Sequence, residues 1–218
     1  MSLEFKKRFI SSLILLPAVI FLIIEGSIFF NCFIFICFLI SCYEWNSLSK
    51  NFFLLFVGIL FLCLSFVSIY LIRSSFGENS LFFIFLVITI CISTDLGGYI
   101  FGKIFKGPKL TKISPNKTYS GVGGSFILSI FLTIPVFWFL FEYGYKNIGI
   151  NLNLLKFIIL ISLISQIGDI IISYFKRLSR TKDTGNIIPG HGGILDRIDG
   201  MLFAFPTSYI IFKFNIIL

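Results

Sequence analysis

Apolar windows recur along this chain with short polar punctuation, at about residues 9–25, 27–43, 52–72, 81–101, 122–141, 154–175 and 200–218. A helix that crosses a bilayer needs about 20 largely apolar residues. The pattern therefore predicts an all-α integral membrane protein, a polytopic bundle of about seven transmembrane helices. For the first two windows the alternative is a helical hairpin that does not fully span. Neither an internal repeat nor a Pro/Gly/Ser linker interrupts the series, so residues 1–218 read as a single polytopic domain.

Composition sharpens this reading. The 218 residues are 57% hydrophobic and only 13% charged, with 30 Phe, and the mean hydropathy is +1.00. That is more apolar surface than a soluble core could bury. Lys6, Lys7 and Arg8 precede the first window, as they would in a signal peptide. A retained helix is preferred, because no small-x-small cleavage site follows and further windows continue at once.

The net charge of +8 would point to nucleic acid in a soluble protein. Here the cations collect in two loops, one with Lys103, Lys106, Lys109, Lys112 and Lys117, the other running from Lys176 to Arg197. The opposite loops hold little more than Glu25, Arg73 with Glu78, and Glu142 with Lys146. The positive-inside rule then places the N-terminus and both basic loops in the cytosol, with the chemically rich loops 102–121 and 176–199 facing it together and no nucleic-acid partner. Cys32, Cys37, Cys42, Cys63 and Cys91 lie in apolar runs and read as small buried hydrophobes. His191 is the single histidine, which excludes a multi-histidine metal site.

Acidic residues are scarce, so their positions carry information. Asp169 falls inside an apolar window, where insertion of an aspartate costs about 2.5–3.5 kcal/mol. On a helix, Asp169, Ser173, Lys176, Arg177 and Arg180 share one face, suited to a charged headgroup. The alternative is a helix end with snorkelling cations and an internally paired Asp169. Asp95 is a second acid within an apolar window and by the same cost should point into a polar cavity. Asp196 and Asp199, three apart, can face one side of a turn and offer hard oxygen ligands to Mg²⁺; for Asp199 helix capping is the competing role. Pro189-Gly190-His191-Gly192-Gly193 cannot be regular helix, and fits either a phosphate-contacting loop or an ordinary turn. Ser114, Lys117 and the glycines at 121, 123 and 124 make a second phosphate-friendly segment, unless those glycines serve helix packing.

Ser173-x-x-Lys176-Arg177, then Lys182-Asp183-x-Gly185, then Pro189-Gly190-His191-Gly192-Gly193-x-x-Asp196-Arg197-x-Asp199 resembles the signature of the phosphatidate cytidylyltransferase (CDP-diacylglycerol synthase) family. Thr94-Asp95-x-Gly97-x-Tyr99 and Ser114-Pro115-x-Lys117-Thr118-x-x-Gly121-x-x-Gly124 are similar to its upstream segments, in the same order. Tyr119 and Ser120 replace a frequent Trp and an acid or amide, and Leu96 a usual Thr. The chain is also shorter than many bacterial relatives.

The resemblance implies transfer of the cytidylyl group of CTP to phosphatidic acid, giving CDP-diacylglycerol and pyrophosphate. It further implies Mg²⁺, with or without a second cation, a bacterial inner-membrane location, an active site facing the cytoplasm among membrane lipids, and a homodimer. By resemblance the metal falls to Asp169, Asp196 and Asp199, and catalysis to Asp169, Asp196 and Lys176. Substrate binding falls to Ser173, Lys176, Arg177, Lys182, Asp183, His191, Arg197, Ser114, Lys117 and Asp95. Two other readings are a CTP-dependent polyprenol or lipid kinase and, in another class, an ion transporter using Asp95 and Asp169.

Overall fold

The computed structural model describes residues 13, 17–111, 114, 117–142, 151–187 and 192–216. Among them every regular element is helical: α1 (17–25), α2 (Ser27–Leu48), α3 (Phe52–Ser75), α4 (Ser80–Phe105), α5 (Tyr119–Glu142), α6 (Leu152–Leu178), the single turn α7 (Leu195–Ile198) and α8 (Met201–Phe214). A 3-10 turn, Gly77–Asn79, leads into α4. Five of the helices, α2 to α6, are long and apolar enough to cross a membrane. The all-α polytopic architecture is the one expected. The last window differs: α8 has 14 residues, about 21 Å at 1.5 Å per residue, short of a hydrocarbon core of about 30 Å. It stops where Asn215 turns left-handed.

The chain packs as two compact units, Met1–Tyr70 with Phe175–Ile198, and Leu71–Tyr174 with Asp199–Leu218. In the first, Gly26 (φ 66°) separates α1 from α2, a backbone angle that glycine adopts without a Cβ clash. Trp45 anchors the unit. Its indole N–H donates to the Leu54 carbonyl at 3.2 Å, and its ring meets Phe175 edge-on at 5.1 Å. Gly58 is glycine because a Cβ there would stand 1.7 Å from the indole nitrogen.

In the second unit α4 is the most enclosed long helix, with 56% of its apolar window buried. Phe83 stacks on Phe212 at 4.1 Å, Phe157 meets the same ring at 5.1 Å, and Phe82 packs on Phe137. α4 and α5 cross at backbone contact. A Cβ on Gly97 would lie 2.4 Å from the Gly124 carbonyl oxygen, and one on Gly121 would lie 2.8 Å from that of Gly98. Small residues at such crossings are how membrane helices gain close packing without a hydrophobic drive between them. Of the glycines read as phosphate-friendly, Gly121 and Gly124 therefore serve packing, whereas Gly123 has open space around it. Large apolar side chains remain exposed on the long helices, Phe52 and Phe53 among them, as a lipid-facing surface requires.

Candidate functional site

The second unit holds a cavity of about 300 Å³ walled by α4, α5, α6 and the segment before α5. Its polar lining includes Thr94, Asp95, Ser114, Lys117, Gln166, Asp169 and Ser173. Five of the residues singled out from the sequence, Asp95, Ser114, Lys117, Asp169 and Ser173, thus meet at one place. Asp169 is paired: the Lys117 ammonium lies 2.6 Å from its Oδ2, and the Ser173 hydroxyl donates to Oδ1 at 3.3 Å. An ion pair in the wall of a membrane helix offsets the insertion cost of each partner.

Local sequence explains how Lys117 is aimed. Residues 109 and 118 form an antiparallel bridge, and the Leu110 amide donates to the Lys117 carbonyl at 2.7 Å. Thr118 then caps α5, its hydroxyl oxygen accepting the Gly121 amide at 3.1 Å, the usual task of an N-cap threonine. Deeper in the unit, Thr94 donates to Ser162 at 2.8 Å, and Ser125 donates to the Thr94 carbonyl at 2.8 Å. These bonds tie α4 to α6 and α5 just below Asp95.

A second polar cluster lies in the first unit. α6 ends with Arg180 left-handed (φ 58°), and the Thr181 amide reaches back to the Lys176 carbonyl at 3.0 Å, a Schellman-type ending. Lys176 donates to Asp196 Oδ1 at 2.9 Å. Asp196 Oδ2 accepts the Thr184 amide at 2.8 Å and the Gly193 amide at 3.0 Å. Burial would raise the Asp196 pKa, but the Thr184 amide, the Lys176 ammonium and the Gly193 amide outweigh it and hold this carboxyl below its ordinary value.

Arg177, Lys182, Asp183 and Arg197 are exposed, and Arg177 donates to the Thr181 carbonyl at 3.3 Å. His191 lies outside the described residues. Asp199 belongs to the second unit, is buried, and accepts the Gly200 amide at 2.8 Å. It does not cap α8, whose N-cap is Gly200 with no side-chain bond.

The sequence reading missed Glu44. This carboxylate is 1% exposed and accepts the Thr184 hydroxyl, the Ile194 amide and the Leu195 amide at 2.8–2.9 Å. Its signal was present: an acid at the edge of an apolar window, open to the same insertion-cost argument as Asp95.

The cavity offers carboxylate and hydroxyl oxygens from Asp169, Asp95, Ser173 and Ser114, a hard donor set that fits Mg²⁺. Among the described residues, no three His, Cys, Asp or Glu side chains converge on one point. One or two carboxylates plus substrate phosphates are the usual holding for that ion. Asp196 is not among the residues that line this cavity, and its oxygens accept Lys176 and two amides much as those of Asp169 accept Lys117 and Ser173.

Fold and cavity together define a polytopic α-helical membrane protein with a charge-bearing cavity among its helices. The chain belongs to the cytidylyltransferase family, whose pattern matches residues 49–215. It is similar to curated proteins named phosphatidate cytidylyltransferase, with 36% identity over 178 residues in Staphylococcus haemolyticus, 39% over 176 in Staphylococcus saprophyticus and 34% over 178 in Staphylococcus aureus. Each of these alignments covers 77% of this chain and 64% of the relative, so the chain spans less than two thirds of their length.

Proposed function

We propose that this protein is a phosphatidate cytidylyltransferase, forming CDP-diacylglycerol and pyrophosphate from CTP and phosphatidic acid. The observation that carries the reading is the Lys117–Asp169 pair beside Ser173 in a cavity among membrane helices, in a chain of this family. A phosphate oxygen of the lipid attacks the α-phosphorus of CTP, and the bond to the bridging oxygen of the leaving pyrophosphate breaks. Both reactants are anions, so the first requirement is cationic. Lys117 supplies positive charge inside the cavity, and Lys176 and Arg177 are further cations that the reaction can use to gather its anionic substrates. Ser114 donates its hydroxyl to a phosphate oxygen, and Ser173 does the same once its hydroxyl turns from Asp169 to the substrate. Bound Mg²⁺, which Asp169 would hold, supplies neutralisation of charge on the transferred phosphoryl group and on pyrophosphate. A phosphate monoester is already largely ionised at neutral pH, so the reaction needs no strong general base.

The reading includes a bacterial inner-membrane location with the site open to the cytoplasm, as the distribution of Lys and Arg supports, and assembly as a homodimer. The test is reconstitution in liposomes with CTP labelled at the α- or γ-phosphate, phosphatidic acid and Mg²⁺. α-Label recovered in CDP-lipid, with at least a hundredfold loss on Asp169→Asn or Lys117→Met, on the order expected for removing one transition-state contact, supports it. γ-Label in the lipid would instead make the protein a kinase.

A further inference from the structure

Glu44 has no place in the chemistry described so far, yet it is among the most deeply buried charged residues of the chain, and it is fully engaged. Its two oxygens face three donors: Ile194 N–H on Oε1 at 2.9 Å, and Leu195 N–H and the Thr184 hydroxyl on Oε2, each at 2.8 Å. These donors come from two separate places in the chain, Thr184 and the adjacent pair Ile194 and Leu195. Thr184 links Glu44 to Asp196, because its amide donates to Asp196 Oδ2 while its hydroxyl donates to Glu44. The packing has no slack. A Cβ on Gly193 would stand 2.2 Å from the Thr184 hydroxyl and 2.5 Å from Glu44 Oε2. A Cβ on Gly185 would stand 3.1 Å from Glu44 Oε1. Gly192 (φ 87°) tucks against Asp196 Oδ2, 2.8 Å from where its Cβ would be.

We infer that Glu44 is a positioning residue: a carboxylate on transmembrane helix α2 that holds Thr184 and the backbone at 194–195 so that Asp196, and through it the Lys176 ammonium, stand in one orientation. A carboxylate suits this task because it is acceptor-only and can take all three donors at once. The amide of glutamine cannot, since it brings two N–H groups of its own toward those donors. The effect on turnover rests on the proposed cytidylyl transfer; the anchoring does not.

Two variants of the full-length protein in lipid nanodiscs test this, Glu44→Gln and Thr184→Val, the second removing only the bridging hydroxyl. Hydrogen exchange is read on peptides covering residues 192–196, with a peptide from α4 as control. In Glu44→Gln the amides of Ile194 and Leu195 are expected to exchange about ten- to a hundredfold faster, as loss of bonds to a charged acceptor requires, with α4 unchanged. kcat per folded molecule, counted by size-exclusion, is expected to fall at least tenfold in Glu44→Gln and less in Thr184→Val. The double variant is expected to lose no more than Glu44→Gln alone, because both act through one contact.

Unchanged exchange at 192–196 in Glu44→Gln would overturn the anchor. Faster exchange with unchanged kcat would overturn the positioning role and make Glu44 purely structural. Wild-type protein that forms no CDP-lipid would overturn the proposed reaction, and the exchange result would then decide the anchor by itself.

Discussion

Replacing Gly97 by alanine tests whether backbone contact between α4 and α5 sets the cavity. The added Cβ would lie 2.4 Å from the Gly124 carbonyl oxygen, 2.8 Å from Ser125 Cα and 2.9 Å from the Gly124 carbonyl carbon. All three are backbone atoms of a helix, so no side chain can swing aside and the helices must separate. Overpacking of this kind costs about 1–3 kcal/mol, against a gain of up to about 1 kcal/mol from the better helix propensity of alanine. Taking the full gain leaves a net cost of up to about 2 kcal/mol, and for a chain of this size each kcal/mol moves Tm by about 2–4 °C, so Gly97→Ala is expected to lower Tm by up to about 8 °C in detergent. Gly123→Ala is the matched control, a glycine on the facing helix α5 but with nothing within 4 Å of the new methyl. Its Tm is expected to stay level or rise slightly. Separation of α4 from α5 also moves Asp95 away from Gly121 and Val122, which line the same cavity, so under the proposed function Gly97→Ala is expected to weaken CTP binding as well as stability. Equal destabilisation by the two variants would refute the argument, since it would mean that neighbouring backbone does not limit α4.

Two further outcomes are expected. Thr118→Ala removes the N-cap of α5 and should cost about 1 kcal/mol, read as a Tm loss of about 2–4 °C; no loss would mean that the Gly121 amide finds another acceptor. The folded-state pKa of Asp196 is depressed below 3.8, so its contribution to stability is complete above the unfolded value and is lost as pH falls through the lower folded value. Exchange at Thr184 and Gly193, corrected for intrinsic rate, should therefore be flat between pH 5 and 8 and rise only in stronger acid.

Hydropathy alone determined where the long helices lie, because in a bilayer an apolar run must satisfy its backbone internally and has few options besides helix. The cost of burying charge marked Asp95 and Asp169 as residues facing something polar, and both line the cavity. These inferences are local: they depend on composition within one window. Tertiary structure decided what depends on distant partners. That Lys117 neutralises Asp169, and Lys176 neutralises Asp196, follows from which loop returns to which helix. Gly97 and Gly123 look alike in sequence, and only the course of the opposing helix separates them. Glu44 shows this most clearly, since its partners lie 140 to 151 residues further along the chain. An acid near a helix end has many possible donors within its own segment. Folding alone brings Thr184, Ile194 and Leu195 to it, and a buried carboxylate cannot remain without such donors.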